Sequence, residues 1–167
     1  MRHREIGMVG SPVATAFAVS LIAKAVLVTT FGIGVGQYAG EHRLSKAPAL
    51  FVVAFGVSLL GVAAFPSPDP WHNRFGLSET IGYLSPLVLA IAWRSRAGYR
   101  GIVVGSAMAF LLVLAALVLD LLPPFVRVSQ DYRASYGLMQ RALFAGCFGW
   151  TGGLGLTLSR RAPPVGP

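Results

Sequence analysis

The stretch Phe65-Pro66-Ser67-Pro68-Asp69-Pro70-Trp71-His72-Asn73-Arg74-Phe75 interrupts a chain that is otherwise mostly apolar runs. Each proline lacks a backbone donor and holds its predecessor in extended geometry, so Pro66, Pro68 and Pro70 together cannot continue a helix. The same residues set Asp69, His72 and Arg74 beside Trp71 and Phe75. If the flanking runs cross a membrane, residues 66–76 form a rigid, polar loop at one lipid–water boundary.

The bulk numbers support that condition. Of 167 residues, 54% are hydrophobic and 12% charged, against about a quarter charged in soluble domains. Mean hydropathy is +0.65. The net charge of +8 invites a nucleic-acid reading, but a nucleic-acid binder shows its basic face on a polar domain. Here the arginines flank apolar runs, as at an anionic membrane surface, and no nucleic-acid partner is expected. The single cysteine, Cys147, lies in an apolar run; it permits no intrachain disulfide and reads as a small buried hydrophobe.

Working outward from the loop, five runs are long enough to cross a hydrocarbon core, which takes about 20 residues. They cover residues 12–35, 47–65, 77–93, 101–122 and 136–158. The first exceeds a signal-peptide core of about 7–15 residues and has no convincing cleavage site. Pro12 suits its first turn, and Ser78-Glu79 suit the start of the third run as cap and first-turn acid. Pro123-Pro124 stop the fourth run, and Arg160-Arg161 close the fifth. The expected fold class is all-α: a polytopic transmembrane helical bundle of five membrane helices, with a short polar N-terminus (1–11) and a disordered tail (162–167).

Lysines and arginines in short loops set orientation. One side collects seven, namely Arg43, Lys46, Arg94, Arg96, Arg100, Arg160 and Arg161. The other collects five: Arg2, Arg4, Arg74, Arg127 and Arg133. The N-terminus and the proline loop are therefore expected outside, and the C-terminus in the cytoplasm.

Polar groups in or near the runs need partners. Lys24 falls near the middle of the first, where a lysine costs about 2.5–3.5 kcal/mol. It reads either as snorkelled or paired with Asp120 or Glu79, or as part of an ion or proton relay. Gly32-Ile33-Gly34-Val35-Gly36 lacks the strand–turn–helix setting of a dinucleotide site, so no cofactor is expected. Gly101-x-x-x-Gly105 and Gly149-x-x-x-Gly153 have the spacing for close helix approach, and packing within the bundle is the default. A zinc site wants three or four protein ligands, whereas His3, His42 and His72 sit in separate loops, so no metal is expected. A Ser–His–Asp set drawn from Ser67 or Ser78, His72 and Asp69 or Asp120 has nothing to specify its geometry. On the outer side, Asp120, Arg127, Asp131, Arg133, Gln140 and Arg141 gather near the loop by topology. Arg141 is either a bidentate anion ligand or a snorkelling arginine paired with Asp120 or Asp131.

Three places resemble the bacterial membrane proteins grouped as domain-of-unknown-function family 998. Gly61-x-x-x-Phe65-Pro66 followed by Asp69-Pro70 is similar to the family's Phe-Pro-x-Asp signature, with one extra residue before the Asp. Gly137-Leu138-Met139-Gln140-Arg141 resembles the opening of its last helix, with Trp150 at an aromatic position further along, and Leu158-Ser159-Arg160-Arg161 closes similarly. The family usually has six membrane helices, so the resemblance implies that a first helix is missing or the start placed late. It also tends to carry a histidine where the helix after the Phe-Pro loop begins. Here His72 is expected earlier, with Ser78-Glu79 at the helix start. The resemblance implies an architecture and no settled activity.

The function expected is an integral membrane protein of unassigned activity. Asp69, His72, Arg74, Asp120, Gln140 and Arg141 would bind a lipid headgroup, a small anion or a membrane partner at the extracytoplasmic face. Partners would be membrane lipids, and a membrane protein or further copies of the chain. Two alternatives stand beside it: an enzyme acting on a lipid-linked substrate, with His72 as base oriented by Asp69, and a small transporter with Lys24 and Asp120 lining a path. The last needs a polar stripe that Ile102–Leu119 does not supply.

Overall fold

The computed structural model describes residues 14–66, 68–121 and 132–161, and of residues 119–121 and 132–140 the helical backbone alone. The polar N-terminus 1–11, Pro12, Ser67, the loop residues Arg127 and Asp131, and the tail 162–167 lie outside the described residues. Six helices are seen among the described residues: α1 (Ala14–Glu41), α2 (Ala47–Ala64), α3 (Pro70–Tyr83), α4 (Ser85–Trp93), α5 (Arg100–Leu121) and α6 (Tyr132–Ser159). No strand occurs among the described residues. With α3 and α4 taken as one span, five helices are long and apolar enough to cross a membrane: Thr15–Glu41, Ala47–Ala64, Pro70–Trp93, Arg100–Val118 and Arg141–Ser159. The all-α, multi-span reading holds.

Two boundaries differ from expectation, each for a local reason. The first helix does not stop at residue 35 but runs through its glycines to Glu41. Beyond residue 35 it is held by burial of Tyr38 and Ala39, and Gly36 approaches Ala49 of α2. It ends in a Schellman turn: Arg43 takes a positive φ of 52°, its N–H meets the Gly40 carbonyl, and the Leu44 N–H reaches the Ala39 carbonyl at 2.7 Å. The third span begins at Pro70, not at Leu77. Pro70 occupies N1, where its missing donor costs nothing, and the Asp69 carboxylate accepts the Trp71 N–H at 2.8 Å as the N-cap. The loop thus shrinks to residues 65–69, and Trp71 to Gly76 become helix. Ser78 and Glu79 lie in the third turn, so they neither cap nor start the helix.

The same span breaks at Leu84 because Pro86 cannot donate to the Gly82 carbonyl one turn back. The Ser85 hydroxyl donates to that carbonyl instead, at 2.6 Å, which satisfies it inside the buried kink.

The chain divides into two compact units, Met1–Val88 and Leu89–Pro167. In the first, α2 packs on both α1 and α3. Leu21, Ala25, Val28 and Val35 of α1 and Val52, Phe55, Leu59 and Val62 of α2 are buried. Glycines set the distances: a side chain on Gly82 of α3 would run into Phe55, and one on Gly56 of α2 would run into α1. In the second unit α5 packs on α6. Ile102, Ser106 and Val113 are buried on α5, and Leu143, Cys147, Trp150, Leu154 and Leu158 on α6; the spacing of three and four makes one face on each helix. The Trp150 indole N–H donates to the Ser106 hydroxyl at 2.9 Å between them. By contrast, Gly101, Gly105, Gly149 and Gly153 meet nothing within 4 Å where a side chain would start. The close-packing expectation for these pairs is therefore not met between α5 and α6 among the described residues, and the glycines that bring the helices of the first unit together are Gly32, Gly56, Gly61 and Gly82.

Candidate functional site

The polar corner between α2 and α3 is built on three rings. Phe65, at the end of α2, stacks on Phe75 of α3 with centroids 5.6 Å apart and planes 4° from parallel. Trp71 leans on both, at 6.3 Å from Phe65 and 6.4 Å from Phe75. The Phe75 ring lies over Gly61, where any side chain would collide with it. Gly61 and Phe65 stand one turn apart on α2, so Gly61-x-x-x-Phe65 is the seat for that ring.

On this aromatic base sit the expected polar residues of the first unit. The Asp69 carboxylate is engaged as the cap of α3. His72, half-buried in the first turn of α3, has its Nδ1 2.9 Å from the Phe65 carbonyl. Nδ1 therefore carries the hydrogen and donates, and Nε2 is left as the ring atom that can meet a ligand. The orienting partner of His72 is thus a backbone carbonyl and not Asp69. With α3 starting at Pro70, His72 stands at the helix start, which removes the departure from the family pattern expected above. Arg74 is exposed, and its guanidinium lies 4.7 Å over the Trp71 ring, a cation–π contact. A stacked guanidinium keeps the N–H groups on its edge for a planar, bidentate acceptor.

The remaining expected residues belong to the second unit. Arg141 is exposed on α6. Asp120 and Gln140 fall within α5 and α6, and their side chains are outside the described residues. Asp69, His72 and Arg74 are therefore brought together on one corner of the first unit.

Two arrangements were not foreseen. Glu79 is buried on α3, and the Tyr83 hydroxyl approaches its carboxyl group at 3.4 Å. One residue before it, the Ser78 hydroxyl meets the Ser58 hydroxyl of α2 at 2.8 Å. The sequence signal was available: with Pro70 at N1, Phe75, Glu79 and Gly82 share a face with His72 at helical spacing. Lys24 is exposed on α1. The second arrangement is an open cleft in the second unit, of about 320 Å³, beside the Trp150–Ser106 bond.

No curated protein and no solved structure matches the chain. Residues 5–157 match the family model described as "Protein of unknown function (DUF998)". With that match spanning most of its length, and with five apolar helices and the Phe-Pro corner in place, the chain belongs to this family of proteins of unknown function.

Proposed function

We propose that this integral membrane protein uses its α2–α3 corner to hold an anionic headgroup or small anion at the extracytoplasmic face. The observation that carries the reading is the Arg74 guanidinium laid on the half-exposed Trp71 ring. Of the two acids nearest in sequence, Asp69 is engaged in capping α3 and Glu79 is buried with the Tyr83 hydroxyl at its carboxyl group. Arg74 supplies a bidentate clamp for a phosphate or carboxylate, His72 Nε2 accepts from a headgroup hydroxyl, and Trp71 anchors the corner at headgroup level. The lysine and arginine asymmetry supports an N-terminus outside and a C-terminus in the cytoplasm. In that orientation the corner faces away from the cytoplasm, and its lipid partner comes from the outer leaflet.

An enzyme acting on a lipid-linked substrate is the second reading. It rests on His72, a single base held in one tautomer by the Phe65 carbonyl.

The test uses the full chain in detergent, titrated calorimetrically with glycerol 1-phosphate, which carries the headgroup chemistry without acyl chains. Arg74→Gln should weaken binding about tenfold or more, the size of a lost hydrogen-bonded charge contact. Arg74→Lys should recover part of it. Equal affinity in wild type and Arg74→Gln would overturn the reading, and turnover of a phosphodiester probe abolished by His72→Gln would move it to the enzyme.

A further inference from the structure

The cleft belongs to the second unit and has its own chemistry. It runs along α5 from Gly101 to Ala109 and along α6 from Trp150 to Arg161. Eight residues of helix rise about 12 Å, close to the depth of one leaflet in a hydrocarbon core of about 30 Å. The cleft is open because Gly101, Gly105 and Gly153 put no side chain into it, and an added methyl at any of them would meet nothing within 4 Å. Below Arg161 its lining is apolar apart from Thr157, whose hydroxyl donates to the Gly153 carbonyl, and the Trp150–Ser106 pair, in which the indole N–H donates to the serine hydroxyl.

One end of the cleft carries Arg161 in its lining. Arg160 precedes it after α6, Arg100 precedes the lining residue Gly101 at the start of α5, and Arg94 and Arg96 lie in the same α4–α5 connection as Gly98 and Tyr99, which Arg161 contacts. The segments 89–119 and 141–161 contain no aspartate or glutamate, so no carboxylate of these segments answers that charge. Arg161 lines the mouth of the cleft. It donates to the Gly98 carbonyl at 2.8 Å and lies 5.1 Å over the Tyr99 ring. Those contacts fix the guanidinium in place, while it keeps further N–H groups among its five.

An apolar trough one leaflet deep that opens on fixed positive charge has the polarity of an anionic phospholipid. We propose that the cleft holds an acyl chain of one such lipid, with its phosphate among the arginines at the Arg161 end. A second copy of the chain would bring the same arginines against these and is disfavoured by charge. The lysine and arginine count assigns this end to the cytoplasmic leaflet, where anionic lipids meet basic residues.

The test is native mass spectrometry of the full chain released from nanodiscs of mixed phosphatidylglycerol and phosphatidylcholine. Wild type should retain one phosphatidylglycerol in preference to phosphatidylcholine. Gly105→Leu puts its side chain into the trough from a position where the Cβ itself meets nothing within 4 Å, and should abolish that retention. Gly149→Leu, also in open space but outside the cleft, should retain the lipid as wild type does. Arg161→Gln should reduce retention about fivefold, the share of one basic residue at a membrane surface. Equal retention of the two lipids by wild type, or wild-type retention by Gly105→Leu, would overturn the proposal. So would a dimer that Gly105→Leu converts to monomer. Glycerol 1-phosphate binding at the corner is read separately, so either site can fail without the other.

Discussion

Trp150→Ala is expected to lower the stability of the α5/α6 unit by about 3 kcal/mol, the lower end of the range for deleting a buried aromatic side chain. The lower end applies because an apolar solvent removes most of the water-transfer part of the cost, leaving lost packing and the cavity. The indole is 9% exposed and bonded to a serine that is 2% exposed. Trp150→Phe separates the two parts: it fills most of the space and removes the hydrogen bond, worth about 0.6 kcal/mol between membrane helices. Thermal unfolding in detergent, followed by helical circular dichroism, should rank wild type above Trp150→Phe above Trp150→Ala. Coincident melting of all three would mean that these two helices are not held together at this point.

Gly56→Leu should have an effect at least as large, on the other unit. A Cβ at Gly56 would lie 3.0 Å from the Ala25 carbonyl oxygen and the Thr29 backbone nitrogen, and closer still to the Thr29 hydroxyl. A flexible side chain can yield, but backbone cannot, so α1 must separate from α2. Overpacking costs about 1–3 kcal/mol where the surroundings can adjust and more where they cannot. Gly34→Leu is the matched comparison, since Gly34 is exposed on α1 and has nothing within 4 Å. Protease sensitivity of the α1–α2 connection should rise for Gly56→Leu and stay at the wild-type level for Gly34→Leu. Equal resistance of both variants would contradict the packing described.

The spans were legible because lipid imposes a coarse rule: some twenty apolar residues, then polar punctuation. That rule reads length and tolerates errors of detail. Pro70 shows the limit. Three prolines in five residues read as a long break, yet proline starts helices as readily as it ends them, and Asp69 just before Pro70 is the cap that decides where α3 begins. The misplaced start carried Glu79 with it, from an expected first-turn acid at the boundary to a buried group three turns in. His72 moved the other way, into the first turn.

At the site, the grouping of Asp69, His72 and Arg74 was legible because they are neighbours in the chain. Their roles were not, because a carboxylate that caps a helix and one that orients a histidine look alike until their partners are seen. The glycine pairs failed for the same kind of reason. Gly101 and Gly105 have the spacing of a tight crossing, but spacing cannot say whether a neighbour comes close. Here it leaves a trough, and Gly61 and Gly82, neither of them part of a glycine pair at that spacing, hold the tight approaches to Phe75 and Phe55.

The most direct measurement is cysteine accessibility in intact cells. Cys147 is buried, and Cys147→Ala supplies a background without reactive thiols. In it, Pro68→Cys at the α2–α3 corner should react with a membrane-impermeant maleimide in intact cells. Ser95→Cys, between α4 and α5, should react only after permeabilisation. If Ser95→Cys reacts from outside and Pro68→Cys does not, the corner faces the cytoplasm and cannot meet an outer-leaflet headgroup. If both react in intact cells, Pro70–Trp93 does not cross the membrane.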